Sequence, residues 1–173
     1  MQSRHLLPVS IEPMRHADLD AVMAMDKLCF SSPWSADSYL TELRNRAAQY
    51  FVARTSEIII GYGGAWVIDH EAHVTTLAVL PQYRRCRVGE RLLIALLQEC
   101  ILRHAHRVSL EVRVGNTGAR NLYARYGFVE SERRAHYYLD NGDDALIMRV
   151  DNVHLAQYSQ LHLDITPNMH REQ

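Results

Sequence analysis

Four arginines are crowded into eight residues at one junction of the chain. Arg84, Arg85, Arg87 and Arg91 follow an apolar, strand-like segment that ends at Val79, and they open a segment with helical periodicity. The N-terminus of a helix exposes backbone N–H groups and the positive end of the helix dipole, so it attracts anions. Arginine adds a planar fork of donors that suits phosphate oxygens. The junction therefore indicates a phosphate-binding site, and a solvated basic loop is the plain alternative.

Over the whole chain, these arginines included, the charge is balanced. The 173 residues carry 19 basic and 20 acidic side chains, which gives a formal net charge of −1 and a pI of about 6.8. This balance disfavours a strongly basic nucleic-acid-binding protein. The longest apolar run, Leu92 to Leu97, is far too short to span a bilayer. Neither nucleic acid nor membrane is therefore an expected partner.

The cysteines and histidines form no recognisable disulfide or metal-binding pattern. Cys29, Cys86 and Cys100 are odd in number and lack paired spacing, and none of the ten histidines stands at metal-ligand spacing from a cysteine. Residues 1–12 lack the apolar stretch of a signal peptide. We therefore expect a cytoplasmic protein with reduced thiols and no bound metal.

The hydrophobic pattern predicts one α/β domain over residues 1–150. Strands are expected at 9–12, 50–54, 58–68, 71–79, 107–114, 128–138 and 143–150, and helices at 15–29, 35–46, about 92–101 and 116–126. Because a strand meander precedes strand–helix units, the sheet should be mixed and mostly antiparallel, with about seven strands flanked by about four helices. Residues 151–173 carry no strong pattern and are expected to form a C-terminal extension of unknown role.

The arginine-rich junction resembles the cofactor motif of the GNAT superfamily of acetyltransferases, Gln/Arg-x-x-Gly-x-Gly/Ala. Arg84 matches its first position and Gly89 its last, whereas Arg87 replaces the middle glycine. The resemblance implies that the loop wraps the diphosphate of acetyl-coenzyme A and that the preceding strand holds the pantetheine arm through backbone groups. The implied contacts are Leu77, Ala78, Val79, Arg85, Cys86, Arg87, Val88, Gly89 and Glu90.

Arg87 leaves the backbone of this loop open to two conformations. A left-handed conformation would cost a residue with a Cβ about 1–2 kcal/mol, and a right-handed one at the helix start would cost little. We expect acetyl-coenzyme A to bind in either case.

A longer resemblance covers Leu110 to Phe128, which contains the Leu-Glu-Val-Arg, Asn, Leu-Tyr and Gly-Phe positions of bacterial ribosomal-protein-alanine acetyltransferases. It implies that Glu111 is the general base, Tyr123 the general acid and Asn116 a further cofactor contact. An α-amine with a pKa of about 7.7–8 needs only a modest base, whereas a lysine near 10.4 demands more. Taken alone, Glu111 could be solvated, Tyr123 could be a core residue and Asn116 only a helix cap.

The same resemblance implies where the acceptor enters and what it is. Trp34, in the loop at 30–35, and Tyr137 and Tyr138, in the final hairpin, are expected to flank the amine entrance, with ordinary packing as the alternative. The implied acceptor is the N-terminal amine of a protein, an alanine on a small-subunit ribosomal protein, which attacks directly within a ternary complex.

Two other functions stay open at this point. One is a GNAT enzyme that acts on lysine or on a small amine, and the other is a non-catalytic protein that binds acyl-coenzyme A or a partner. The sequence does not predict the oligomeric state.

Overall fold

The computed structural model describes residues 8–158. The strands are β1 (Ser10–Pro13), β2 (Ala48–Arg54), β3 (Ile59–Ile68), β4 (Glu71–Val79), β5 (Arg107–Arg113), β6 (Val129–Arg134) and β7 (Ala145–Asp151). The helices are α1 (Leu19–Cys29), α2 (Ala36–Arg44), α3 (Val88–Leu102), α4 (Thr117–Arg125) and the single turn α5 (Leu155–Tyr158). Within this part of the chain, no helix is long and apolar enough to cross a membrane.

The strands form one seven-stranded sheet in the order β1-β2-β3-β4-β5-β7-β6. Every neighbouring pair is antiparallel except β4 and β5, which run parallel because α3 carries the chain back across the sheet. The expected α/β fold, with a mixed and mostly antiparallel sheet of seven strands, is therefore confirmed.

Helices cover both faces of the sheet. On one face α3 is apolar nearly all round, and Leu92, Leu93, Leu96 and Leu97 are completely buried. On the other face α1 and α2 pack against alternate residues of the sheet, including Tyr50. Successive side chains of a strand point to opposite faces, so β2 and β3 contribute to both layers of the core.

The ends of two predicted segments differ from the structure. β6 stops at Arg134, before the expected end at residue 138, because His136 has a left-handed φ of 52° and its N–H turns to the Asp144 carboxylate. The core also reaches past residue 150, since Val153 and Tyr158 are buried. Two stretches lie outside the described residues. One is residues 159–173, which are most of the expected C-terminal extension, and the other is residues 1–7, where the sequence predicts no signal peptide.

β4 and β5 stay together for only four residue pairs. The pairing begins at Glu71 and Arg107 and ends at Val74 and Leu110. β4 then continues to Val79 and β5 to Arg113, and over this stretch of the described chain the two strands do not pair with each other. The centre of the sheet therefore opens between the C-terminal ends of its two parallel strands.

A β-bulge marks the start of this opening. Thr75 is the extra residue, because Gly64 pairs with Thr76 and the next residue of β3 pairs with Val74. Bulges bend and twist a strand, which turns β4 away from β5. Tyr50 supports the bulge from the α2 side, since its hydroxyl lies 3.1 Å from Thr75 Oγ1.

Candidate active site

The basic loop joins the free end of β4 to the first turn of α3. The side chains from Arg84 to Arg87 are exposed, and α3 begins at Val88. The first N–H groups of a helix have no acceptor within the helix, so they point to whatever lies beyond its end. A Cβ on Gly89 would meet nothing nearer than Val79 Cγ2 at 3.5 Å. Packing among residues 8–158 therefore does not require this glycine, which is consistent with a backbone kept free for a ligand.

Arg87 adopts the more costly of the two expected conformations. It is the N-cap residue of α3, with φ of 64° and ψ of 9°, and Arg85 has the same φ. Arg87 does not point freely into solvent, because its Nε donates to Glu90 Oε2 at 2.6 Å. Glu90 is itself buried, and Tyr126 donates to its other oxygen at 2.7 Å. Burial would raise the pKa of Glu90, but the hydrogen bonds from Arg87 and Tyr126 outweigh it and hold the pKa below its ordinary value.

Asn116 caps α4. Its side-chain oxygen accepts the N–H of Ala119 at 3.2 Å, which satisfies one of the unpaired donors of the helix. The structure thus shows the capping role, and the contact with a cofactor stays a prediction.

Glu111 lies on β5 where the sheet opens, and it is paired rather than simply solvated. Its Oε2 is 2.7 Å from His73 Nε2 on β4, and His73 Nδ1 is 3.1 Å from Ser109 Oγ. His73 lies opposite Ser109 in the parallel pair, so all three residues share one face of the sheet. The hydrogen bond from His73 lowers the pKa of Glu111, and this effect outweighs burial.

Tyr123 is buried in α4, with its ring 5.8 Å from that of Phe128. Burial raises its pKa to about 12, so the phenol keeps its proton near neutral pH. Its hydroxyl makes no hydrogen bond to another residue of the described chain. The residue is thus part of the core and also an unengaged proton donor.

The loop at 30–35 and the β6–β7 connection meet at one side of the opening. Ser31 Oγ donates to Asp140 Oδ2 at 2.5 Å, and Arg113 NH2 donates to both oxygens of Asp140 at 2.8 and 2.9 Å. The Arg113 guanidinium also lies 3.8 Å from the centre of the Tyr138 ring. Since Arg113 follows Glu111 by two residues on the same face of β5, this cluster holds Tyr138 beside the site.

The aromatic residues expected at the entrance fall into two environments. Tyr138 is half-buried, and its pKa is raised above the ordinary value. Burial is the main cause, and the nearby Glu111 carboxylate adds a smaller effect. Tyr137 is exposed and packs edge-to-face on Tyr138 at 5.2 Å. Trp34 is partly exposed, lies 5.5 Å from the ring of Tyr39, and belongs to the other loop. The structure thus brings the two loops together, while contact of these residues with an acceptor stays a prediction.

His73 and Arg113 are the functional candidates that the sequence analysis does not identify. Strand alternation already puts Arg113 on the face of Glu111, so that signal was present. His73 could be found only from the register of β4 against β5. Across residues 8–158, no group of three or more His, Cys, Asp or Glu side chains is arranged to hold a metal ion.

A parallel strand pair that splits, with a basic helix N-terminus at one end of the split, is the arrangement of the acyl-coenzyme A-dependent transferases of the GNAT type. The model of the acetyltransferase (GNAT) family matches residues 19–128, and the chain belongs to this family. It is an acyltransferase, as the sequence predicts.

Similar proteins narrow the class further. A candidate ribosomal protein bS18-alanine N-acetyltransferase of Bacillus subtilis (strain 168) is 39% identical over 142 residues, which are 82% of this chain and 94% of that protein. The N-alpha-acetyltransferase RimI of Mycobacterium tuberculosis is 32% identical over 151 residues, 84% of this chain and 94% of that one. The crystal structure of the ribosomal protein bS18-alanine N-acetyltransferase from Escherichia coli superposes with a TM-score of 0.77 at 28% identity, over 85% of this chain and 96% of that one.

Proposed function

We propose that this protein uses acetyl-coenzyme A to acetylate the N-terminal α-amine of a protein whose first residue is alanine, and that the acceptor is a small-subunit ribosomal protein in the cytoplasm. The observation that carries the proposal is the β4–β5 opening, which has the basic N-terminus of α3 at one end and Glu111 with His73 at its inner edge. The functions named for the Bacillus and Escherichia relatives support the acceptor.

The residues around the opening fit the donor. The arginine loop and the first turn of α3 would hold the diphosphate, and the unpaired edge of β4 from Leu77 to Val79 would hold the pantetheine arm. When bound, acetyl-coenzyme A supplies an acyl group activated as a thioester. Cys29 Sγ and Arg84 Nε both lie against the carbonyl oxygen of Val79, at 3.7 and 3.2 Å, and fix the end of that edge.

Glu111 and His73 are the groups that would take the proton from the amine. An α-amine with a pKa of about 7.7–8 is partly neutral at pH 7, so a weak base is sufficient to deprotonate the rest. The lowered pKa of Glu111 keeps its carboxylate ionised and able to orient an ammonium or a bridging water. His73 is partly exposed and bonded on both ring nitrogens, and so it offers the proton a route to solvent.

Tyr123 would supply the proton that the departing thiolate needs. The phenol is protonated near neutral pH because burial raises its pKa to about 12. Its hydroxyl has no competing partner in the described chain, so it is available to a sulfur atom at the opening. Attack is direct, and none of the three cysteines is needed as a nucleophile.

Competing peptides test the acceptor. The purified protein is given acetyl-coenzyme A with an alanine-initiated peptide, the same peptide with a blocked N-terminus and an added lysine, and a polyamine. We expect acetylation only of the free α-amine, with alanine preferred in a library that varies the first two residues. Preferential acetylation of lysine or of the polyamine would overturn the proposed acceptor.

Substitution of the proposed acid and base tests the mechanism. Tyr123→Phe and Glu111→Gln should fold normally and lose most of kcat, by about 10²-fold or more. Wild-type turnover by either variant would overturn the assigned role of that residue.

A further inference from the structure

Glu90 is an acidic residue next to the basic loop that, under the proposed function, binds an anion. It lies in the first turn of α3, and its carboxylate is only 8% exposed. A carboxylate at this position interacts favourably with the positive end of the helix dipole, but it also competes with a bound diphosphate for that same end of the helix. Left uncompensated, it would repel the ligand.

Arg87 compensates this charge. Its Nε is 2.6 Å from one Glu90 oxygen, while the other oxygen is bonded by the neutral hydroxyl of Tyr126. A second arginine, Arg125, lies farther from this carboxylate, with NH1 3.7 Å from Glu90 Oε1. Arg87 is therefore the nearer of the two arginines that form ion pairs with Glu90 at 2.6 and 3.7 Å, and it is the one that donates a hydrogen bond to the carboxylate.

We propose that Arg87 and Glu90 act as one compensated unit, in which Arg87 replaces the loop glycine in order to neutralise Glu90 rather than to bind phosphate itself. The inference rests on the proposed function, since it concerns the donor site. A glycine at position 87 would match the family motif and could be expected to strengthen the binding of coenzyme A, but the compensated unit predicts weaker binding. Arg87→Gly would relieve the left-handed backbone but uncover the Glu90 carboxylate beside the diphosphate.

Arg85 provides a matched control. It lies two residues earlier in the same loop, has the same φ of 64°, and makes no ion pair with another described residue. Arg85→Gly therefore relieves the same kind of backbone strain and removes the same charge without uncovering a carboxylate. Arg85 also belongs to the loop proposed to hold the diphosphate, so the Arg87–Glu90 unit is measured by whether Glu90→Gln restores binding in the Arg87→Gly background and not in the Arg85→Gly background.

Calorimetry with coenzyme A measures the coupling without catalysis. The proteins are the wild type, Arg87→Gly, Arg85→Gly and Glu90→Gln, together with each glycine variant combined with Glu90→Gln. Glutamine still accepts a hydrogen bond from Tyr126 but carries no charge. We expect Arg87→Gly to raise the Kd and Glu90→Gln to restore it in that background, with a coupling of about fivefold or more. The Arg85→Gly and Glu90→Gln effects should multiply independently.

The possible outcomes separate the inference from the proposed function. Tighter binding by Arg87→Gly would mean that strain dominates, and an unrescued loss would mean that Arg87 binds phosphate directly; either result overturns the compensated unit alone. If the wild type binds no coenzyme A, the proposed function fails and the inference fails with it. Thermal unfolding of the free variants confirms that each is folded at the temperature of the titration.

Discussion

Among the described glycines, Gly64 is the one at which an added methyl group should lower the free energy of unfolding most. A Cβ there would lie 2.2 Å from Cε1 of Tyr50 and 2.5 Å from Cδ1 and Cζ, far inside van der Waals contact. The ring cannot simply swing away, because it is only 3% exposed and its hydroxyl donates to Glu42 at 2.9 Å. Gly64→Ala must therefore displace Tyr50 or bend β3.

The expected loss follows from those contacts. Overpacking a tight core costs about 1–3 kcal/mol, and losing a buried hydrogen bond to a charged group costs about 1.5–3 kcal/mol. We therefore expect Gly64→Ala to lower the free energy of unfolding by roughly 3–5 kcal/mol, or the Tm by about 10 °C for a domain of this size. Because Tyr50 also supports the Thr75 bulge at the opening, the surviving folded protein should bind coenzyme A less tightly.

Chemical denaturation measures this loss. Gly118→Ala is the control, because a Cβ there meets nothing within 4 Å and alanine is favoured in a helix; it should be neutral or slightly stabilising. In a Tyr50→Val background the ring is gone, so Gly64→Ala should cost much less. A loss below about 1 kcal/mol for Gly64→Ala, or the same loss in both backgrounds, would refute the steric argument.

Three further predictions concern titration and reactivity. Burial raises the pKa of Tyr123 to about 12 from an ordinary value of 10, so its neutral phenol contributes fully to the free energy of unfolding below pH 10, and this contribution is lost between pH 10 and 12. In denaturation curves across that range, Tyr123→Phe should lose roughly 2–3 kcal/mol less stability than the wild type. His73→Phe removes the hydrogen bond that lowers the pKa of Glu111, so the acid limb of the kcat/KM profile should move to higher pH, and an unmoved limb would contradict the pairing. Cys86 is exposed, whereas burial raises the pKa of Cys100 to about 12. A thiol reagent should therefore modify Cys86 first, and coenzyme A should slow that reaction; equal rates with and without it would place the ligand elsewhere.

Local periodicity was enough to predict most elements of the fold. The apolar stripe from Leu92 to Ile101 lies within α3, and Asn116 caps α4 as its spacing suggests. These features depend on residues close together in the chain, so a single sequence carries them. Gly142, with φ of 73°, likewise marks the turn before β7.

Features that depend on register or on a choice between two backbone states were not accessible. The hydrogen bond between His73 and Glu111 forms because β4 and β5 pair from Glu71 to Val74 and then separate. The sequence of neither strand alone indicates where this pairing ends. The conformation of Arg87 was open because a non-glycine residue can occupy either state at modest cost. Its left-handed state is accompanied by a contact with Glu90 that sequence spacing alone did not single out.

The opening between β4 and β5 also creates a liability in the middle of the sheet. A sheet normally has two edges, but this one has an additional pair of unpaired backbone stretches, which invite strand addition by another chain. Under the proposed function, the donor covers them when it binds. The supply of acetyl-coenzyme A would then affect the resistance of this enzyme to aggregation as well as its rate, because a ligand that binds only the native state stabilises it by an amount that rises with the logarithm of the ligand concentration above its Kd.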